Sequence, residues 1–584
     1  MRNTVRPDGR GAPSRLLPTR ILPALLLLAL AGLPPLGAQS PQRADPARLE
    51  VIEDLSESLA NDMLDFSVAV RDRDTARMGK YFSETVTAAP LPSVPGPLQP
   101  AVKWISNRTW DAPPGRGTSA VRRDAVLADW EQLLDRLAEV EDVRFKVRGA
   151  TFDDAAQAVK GASMPTAVPG ARGDARIGFW LVGRNSEGQR EWLRGTFEAA
   201  VLYPPGGPWH ITAVQQPSVS SVVSSQDLFS EVSVPAGVAR RLPAYGTPQN
   251  SGFAWNGAAA ADVDGDGWID LLVTTGGRNV LYLNDGSGGF REASAGSGIG
   301  QLASGTAPLF LDHDNDGDLD VFIATVGQQV LIENRLIPDG ALRFQDVSLE
   351  MRVAVNAVGF SAAAADVNGD GRPDIYVSSY NHYGRVTPNS WTAATNGTPN
   401  LLFVSQPDGT YRERAAAWGV NDSRWSYAAG FADVTGDGRP DLYVANDFGE
   451  NAFFVHNGER FRDEARERGV LDTGYGMGVA FGDYDNDGHL DLHVTNMSST
   501  AGNRILGRLF PDADPGNNLL KKLASGNNLY RNLGNGMFED VTSAVGGLPG
   551  QWAWGGGFID FDNDGVEDLY SPNGFISGKS MKDT

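Results

Sequence analysis

Six aspartate-rich nonapeptides, each running into a short apolar segment, carry the chemistry this chain is equipped for. They read DVDGDGWID, DHDNDGDLD, DVNGDGRPD, DVTGDGRPD, DYDNDGHLD and DFDNDGVED. Side-chain oxygens recur at positions 1, 3, 5 and 9. In successive copies these are Asp262, Asp264, Asp266 and Asp270; Asp312, Asp314, Asp316 and Asp320; Asp366, Asn368, Asp370 and Asp374; Asp433, Thr435, Asp437 and Asp441; Asp483, Asp485, Asp487 and Asp491; and Asp560, Asp562, Asp564 and Asp568. Alternate side chains of a tightly curled loop can point at one centre. Position 7 can add a backbone carbonyl, from Trp268, Asp318, Arg372, Arg439, His489 and Val566 in turn. Gly265 and Gly267 permit the positive backbone angles such a curl needs. Calcium takes six to eight oxygens at flexible geometry, so the pattern predicts up to six calcium sites rather than magnesium or zinc sites. The third and fourth copies have one charge fewer, at Asn368 and Thr435, and are expected to bind more weakly.

Other readings of the same residues fit less well. An EF-hand would place a bidentate glutamate at position 12, where this chain has Val273, Ile323, Val377, Val444, Val494 and Ser571. A plain hairpin turn needs one Asp-Gly or Asn-Gly pair, not four carboxylates at alternating positions. The chain has no cysteine, and its 6 histidines form no cluster with ligand spacing, which argues against soft-metal sites. A net charge of −22 with no basic patch in the sequence argues against nucleic acid as a partner.

The elements that must hold these loops are legible in outline. Arginines up to Arg20, an apolar run Ile21–Leu33 and the small residues Gly37 and Ala38 read as a secretory signal over residues 1–38. The run is shorter than the roughly 20 residues that span a bilayer. The protein is therefore expected outside the cytoplasm, periplasmic or at the cell surface, with no membrane span after cleavage. Extracellular calcium modules work at roughly 0.1–1 mM, which suits such loops. Residues 46–214 read as an α+β domain. An amphipathic helix carries Leu49, Ile52, Leu55, Leu59, Met63 and Phe66, a second carries Val126, Trp130, Leu133, Leu134 and Leu137, and strand-like runs follow. The order of elements resembles that of nuclear-transport-factor-2-like domains, whose curved sheet often encloses a ligand. Phe179, Trp180 and Trp192 are candidates to line such a cavity, with the core of the domain as the favoured alternative place for them. A Ser-rich stretch, 215–226, reads as a linker.

Residues 227–584 repeat a longer unit: a Gly- or Ala-rich strand, the acidic loop, a second strand, a third, and a short closing strand that begins with an aromatic residue. Four short antiparallel strands per unit of about 50 residues mark a β-propeller blade, so the fold class is mostly β. Two units hold insertions, 381–400 and 498–527, expected as loops on one face. Phe229–Val232 reads as a closing strand that would complete the last blade and remove the open edge. The sixth loop lacks a third strand of its own, so a seven-bladed ring cut short at its C-terminus is expected, with six blades as the alternative.

The run A-D-V-D-G-D-G-x-x-D-L, with N-x-G-x-G-x-F after it, resembles the FG-GAP/VCBS repeat family. Met497-Ser498, Ala501–Arg504, Gly526–Asn532 and Trp552–Gly555 resemble its bacterial branch related to cartilage acidic protein 1. The resemblance implies a secreted, calcium-binding, seven-bladed propeller used in cell adhesion or recognition. It carries the ligand role onto positions 1, 3, 5 and 9, with Thr435 as the departure. The expected partner is an extracellular protein or glycan. The rival reading is a calcium-dependent polysaccharide-degrading enzyme on the same scaffold. It has little to stand on, because glycosidic chemistry needs a free carboxyl pair and most suitable carboxylates sit in the loops. His382, His489 and His493 are candidates for catalysis by residue type alone.

Overall fold

The computed structural model describes residues 46–573 apart from 116, 160–164, 241–255, 276, 383–384, 499–501, 504–505, 507–517, 547 and 549–551. The expected signal segment, residues 1–38, lies outside them.

In the first part, Leu55, Leu59, Met63, Phe66 and Val70 recur at helical spacing and form the fully buried face of a helix, Pro46–Arg71. That face packs on a sheet whose longest strands are Leu137–Phe152, Arg172–Asn185, Arg190–Leu202 and His210–Ser224. A second helix, Arg123–Leu134, adds Val126, Trp130 and Leu133 to the same core. The rings of Phe66, Trp130, Phe145 and Phe179 meet there at centroid distances of 4.8 to 5.5 Å.

Two expectations for this part are overturned. The stretch 215–226 is not a linker, because the strand His210–Ser224 runs through it, paired with Arg190–Leu202 on one side and Ile105–Asp111 on the other. Serine concealed the alternation. Val219, Ser221 and Val223 all point inward, and Ser221 is buried because its hydroxyl has partners: it accepts from Trp110 Nε1 at 3.0 Å and donates to Glu191 at 2.5 Å. Nor do Phe179, Trp180 and Trp192 share a cavity. Successive strand residues face opposite ways, so Phe179 enters the core while Trp180 and Trp192 lie on the outer face.

The second part is a β-propeller. Five four-stranded antiparallel units follow one another, beginning at Gly257, Ala307, Asn356, Ser426 and Gly476, and a hairpin, Gly557–Ile559 with Asp568–Tyr570, follows them. The third unit carries an extra edge strand, Val326–Gln328. Second strands such as Asp374–Ser379 are buried at every residue. The reason is that both sheet faces are covered: Ile375 and Val377 pack toward the preceding unit and Tyr376 toward the next. Each apolar cluster thus straddles two neighbouring sheets rather than filling one.

Every acidic loop joins a first strand to a second. Both insertions leave from the far end of a second strand, after Ser379 and after Asn496, and so emerge at the end opposite the loops. The expected closing strand Phe229–Val232 is not a strand. The third strand it would pair with is absent from the described residues, and it leads instead into a turn over 233–237. Its Phe229 ring still reaches the last hairpin, 5.6 Å from Phe561 and 6.3 Å from Tyr570.

A buried ion pair in the first part gives a stability test. Arg108 donates to both oxygens of the fully buried Glu191 at 2.6 and 2.7 Å. Removing one partner strands the other charge, so Glu191→Ala should cost about 3 kcal/mol in chemical denaturation. An unchanged midpoint would contradict this.

Candidate metal centre

The loops close alike because their first and last aspartates are hydrogen-bond acceptors as well as charges. Asp262 accepts from the backbone N–H groups of Gly265, Asp266 and Gly267 at 2.8 to 3.1 Å. Asp366 and Asp433 accept from the equivalent three. Asp312, Asp483 and Asp560 accept from two. Positions 4 and 6 have positive φ in every copy, which is why they are glycine or asparagine: Gly265 is at 73°, Asn315 at 61° and Gly317 at 100°.

Position 9 starts the second strand and is almost fully buried in the five complete units. One oxygen of Asp270, Asp320, Asp374 and Asp491 accepts from position 2 of its own loop, that is Val263, His313, Val367 and Tyr484. Asp441 takes position 3, Thr435, instead. The other oxygen accepts from the third strand, at Asn284, Asn334, Ser405, His456 and Asn532. All ten bonds measure 2.7 to 3.2 Å.

Sequence reasoning did not single out these third-strand partners as part of the site. For Asn284 and Asn532 the signal was the asparagine of N-x-G-x-G-x-F; Asn334, Ser405 and His456 lie outside that motif. Asn334 and Asn532 also donate through Nδ2 to Val263 O and Val434 O in the preceding units, at 3.0 and 3.1 Å.

Four loops bring three carboxylates together, with one oxygen from each lying within 4.8 Å of the others. The sets are Asp262, Asp264 and Asp270; Asp312, Asp314 and Asp316; Asp483, Asp485 and Asp491; and Asp560, Asp562 and Asp564. Asp264 Oδ1 and Asp562 Oδ1, both at position 3, are buried with no hydrogen-bond partner, as is Asp318 Oδ1. Buried polar atoms are nearly always satisfied, so these orphaned oxygens at position 3 fit a cation that they would ligate. Asp266, Asp320, Asp487 and Asp568 are outside the four sets, although they belong to the same loops.

The third and fourth loops form no such set among the described residues. In the fourth, Arg439 reaches Asp437 at 2.7 Å. In the third, Asn368 Nδ2 donates to Asp370 at 3.1 Å and Arg372 lies 4.0 Å away from it. Here the position 7 side chain supplies positive charge from within the chain. Elsewhere position 7 is structural or exposed. Trp268 and His489 lie against Gly286 and Gly534, where a Cβ would meet them at 2.8 and 2.6 Å, and Val566 is exposed. Asp318 accepts from Ile337 N at 2.7 Å. No histidine joins a metal-type group among the described residues, and His493 is buried with Nδ1 2.9 Å from Asn528 O.

Burial pushes the position 9 carboxyls up, to about 8 for Asp320 and about 6 for Asp374, Asp441 and Asp491. Burial, then Asp266, raises Asp264 as well. A carboxyl whose pKa is higher folded than unfolded holds its proton more tightly in the fold, so stability is lost as pH rises from the unfolded value, about 4, through the folded one. The calcium-free protein should therefore lose stability between about pH 4 and 8. Calcium favours the ionised form, so the stabilisation it confers should grow over the same window; melting curves at stepped pH with and without calcium check both signs. Asp264→Asn should slightly raise calcium-free stability, by no more than a few tenths of a kcal/mol for a side chain that is only half-buried. It should also reduce the gain on adding calcium.

Models of known families match the same segments. An FG-GAP-like repeat matches residues 262–323, 433–494 and 521–571, and an FG-GAP repeat matches 358–390. Cartilage acidic protein 1 of Homo sapiens and that of Mus musculus are each 24% identical over 241 residues, covering 37% of this chain and 34% of theirs. The chain thus spans about a third of the length of the curated relatives it matches. Among solved structures, an Agrocybe aegerita lectin described as recognising non-reducing terminal N-acetylglucosamine aligns at TM-score 0.28 and 12% identity, over 68% of this chain and 85% of that one. The V. cholerae biofilm matrix protein Bap1 aligns at TM-score 0.23 and 16% identity, over 43% and 36%. At those scores neither likeness carries an argument. The acidic loops and the strands they join match FG-GAP repeats, which form a β-propeller, and the chain is a distant homologue of cartilage acidic protein 1.

Proposed function

We propose that this is an exported, calcium-stabilised propeller that recognises an extracellular protein or glycan. The observation that carries the calcium part is the convergence of three carboxylates in four loops, with position 3 oxygens buried and unpartnered in two of them. Bound there, calcium supplies positive charge and coordination to oxygens that otherwise repel one another. The chain's own part is to curl the loop through backbone N–H bonds to position 1 and to anchor it through position 9. The recognition part is supported by the two insertions, which both emerge at the end of the propeller away from the loops. One of them is braced there: Ala394 N donates to Phe448 O at 2.8 Å, and Trp391 stacks edge-on against Phe448 at 5.3 Å.

Thermal unfolding of the full chain in EGTA, then in millimolar calcium, with magnesium as control, tests the metal reading. Ligand that binds only the folded state adds RT ln(1+[L]/Kd) per site, about 2.7 kcal/mol at a hundredfold excess over Kd. A large calcium-selective rise in melting temperature is expected, and no rise would refute the reading. Shortening the 498–527 insertion should abolish partner capture while leaving that calcium response intact.

A further inference from the structure

The outer face of the N-terminal sheet is unlike the rest of this acidic chain. Strand register sets Arg144, Trp180, Arg194 and Ser220 in one row across four strands. The next row is Lys146, Gly178, Thr196 and Ser218, and the row on the other side is Asp142, Val182, Trp192 and Val222. All point away from the helix-covered core. Trp180 and Trp192 are therefore diagonal neighbours on adjacent strands, roughly 7 Å apart at Cβ. Trp192 is 45% exposed, and the two indoles border an open groove of about 410 Å³.

In the groove's own lining Arg190 pairs with Glu141 at 2.8 Å and Asp142 accepts from Trp180 Nε1 at 3.1 Å, whereas three cations farther along the same face make no ion pair. No carboxylate lies within ion-pair distance of Lys146, Arg148 or Arg194 among the described residues, although Arg144, Arg176, Arg184 and Arg190 each have one. Lys146 instead stands 5.4 Å over the Trp180 ring. The Arg148 side chain lies across Gly178, where a Cβ would meet its Nε at 2.9 Å. These cations are packed side by side on a partly desolvated surface, with Asp142 as the carboxylate nearest Lys146, in a protein whose net charge is −22. Burial, then Arg148 and Arg144, lowers the Lys146 ammonium to about 8. An anion would relieve this crowding.

We propose that this face is a second binding surface, separate from the propeller, for an acidic oligosaccharide whose sugar rings stack on Trp180 and Trp192 and whose carboxylates meet Lys146, Arg148 and Arg194. Flat aromatic faces take the apolar side of a pyranose ring, and cations beside them take its carboxylate. The hydroxyls of Thr196, Ser218 and Ser220 continue the surface with groups suited to a ligand rich in hydroxyls. Single-stranded nucleic acid also uses stacking and cations, but it carries a charge on every nucleotide, which a chain at −22 repels more strongly than a glycan with one carboxylate per disaccharide.

The test is calorimetric titration of the full chain, in calcium, with a hyaluronan octasaccharide, an uncharged N-acetylglucosamine hexamer and an oligo-dT of similar length. Saturable binding of the uronate oligomer is expected, with weaker binding of the uncharged one and a loss of affinity as salt rises. Trp192→Ala and Arg194→Gln should each weaken it about tenfold, the scale of one lost stacking or charged contact. Both positions are exposed, and an unchanged melting temperature confirms that each variant is folded. The proposal is overturned if no uronate binding is found, if both variants bind as the parent does, or if oligo-dT binds more tightly than the glycan.

Discussion

The carboxylate at position 9 of the acidic loop, in the five complete units, is the contact on which the propeller part depends. It sits where the loop becomes the second strand, with one oxygen holding the start of its own loop and the other holding the third strand. A single side chain thus ties three consecutive pieces of a blade at one buried point. Hydrogen bonds to a charged acceptor are stronger than neutral ones, and these are shielded from water. The same geometry turns the position 1 and 3 oxygens inward, so the convergence of carboxylates in the loop follows from how the blade is knotted. It also explains the cost. A carboxyl at that depth either holds a proton or needs a nearby cation to stay ionised, and the loops that lack a full acidic set enlist an arginine.

Packing extends this local knot into a ring segment. Second strands are covered on both faces, so their residues alternate between the preceding and the following unit. No unit owns a complete core, and each is stabilised by its neighbours, as in other repeat architectures. Polar contacts reinforce the same joints. Asn315 and Asn486, held in the left-handed region at position 4, donate to Gly371 O and Gly565 O of the following loops at 2.9 Å. The loops are thereby linked to one another as well as to their blades.

Much of this was legible because repetition removes ambiguity. Six copies of one nonapeptide, each followed by alternating apolar residues, leave few folds open. The failures have physical causes. The strand through 215–226 was hidden because serine at an inward position looks like a linker residue, and only the partners of Ser221, a tryptophan N–H and a buried glutamate, make it a core residue. Phe179 and Trp180 were grouped by type although adjacent strand residues cannot face the same way. Phe229–Val232 has the composition of a closing strand, but a strand exists only where a neighbour offers its backbone groups. The uneven quality of the acidic loops was partly readable, at Asn368 and Thr435. The burial of the position 3 oxygens in the first and sixth loops was not, because it depends on how the neighbouring backbone closes over them.

The placement of the loops constrains what calcium could do here. The loops connect first to second strands, and the insertions leave from the opposite end of the second strands. A ligand seated on the insertions would be a full strand length from the nearest carboxylate set, roughly 17–20 Å for strands of this size. A cation in the loops would then act on recognition only through the frame, by fixing the blades that carry the insertions. Dependence of binding on calcium would follow from folding stability, and it would fade in any variant stable enough to hold the ring closed without metal.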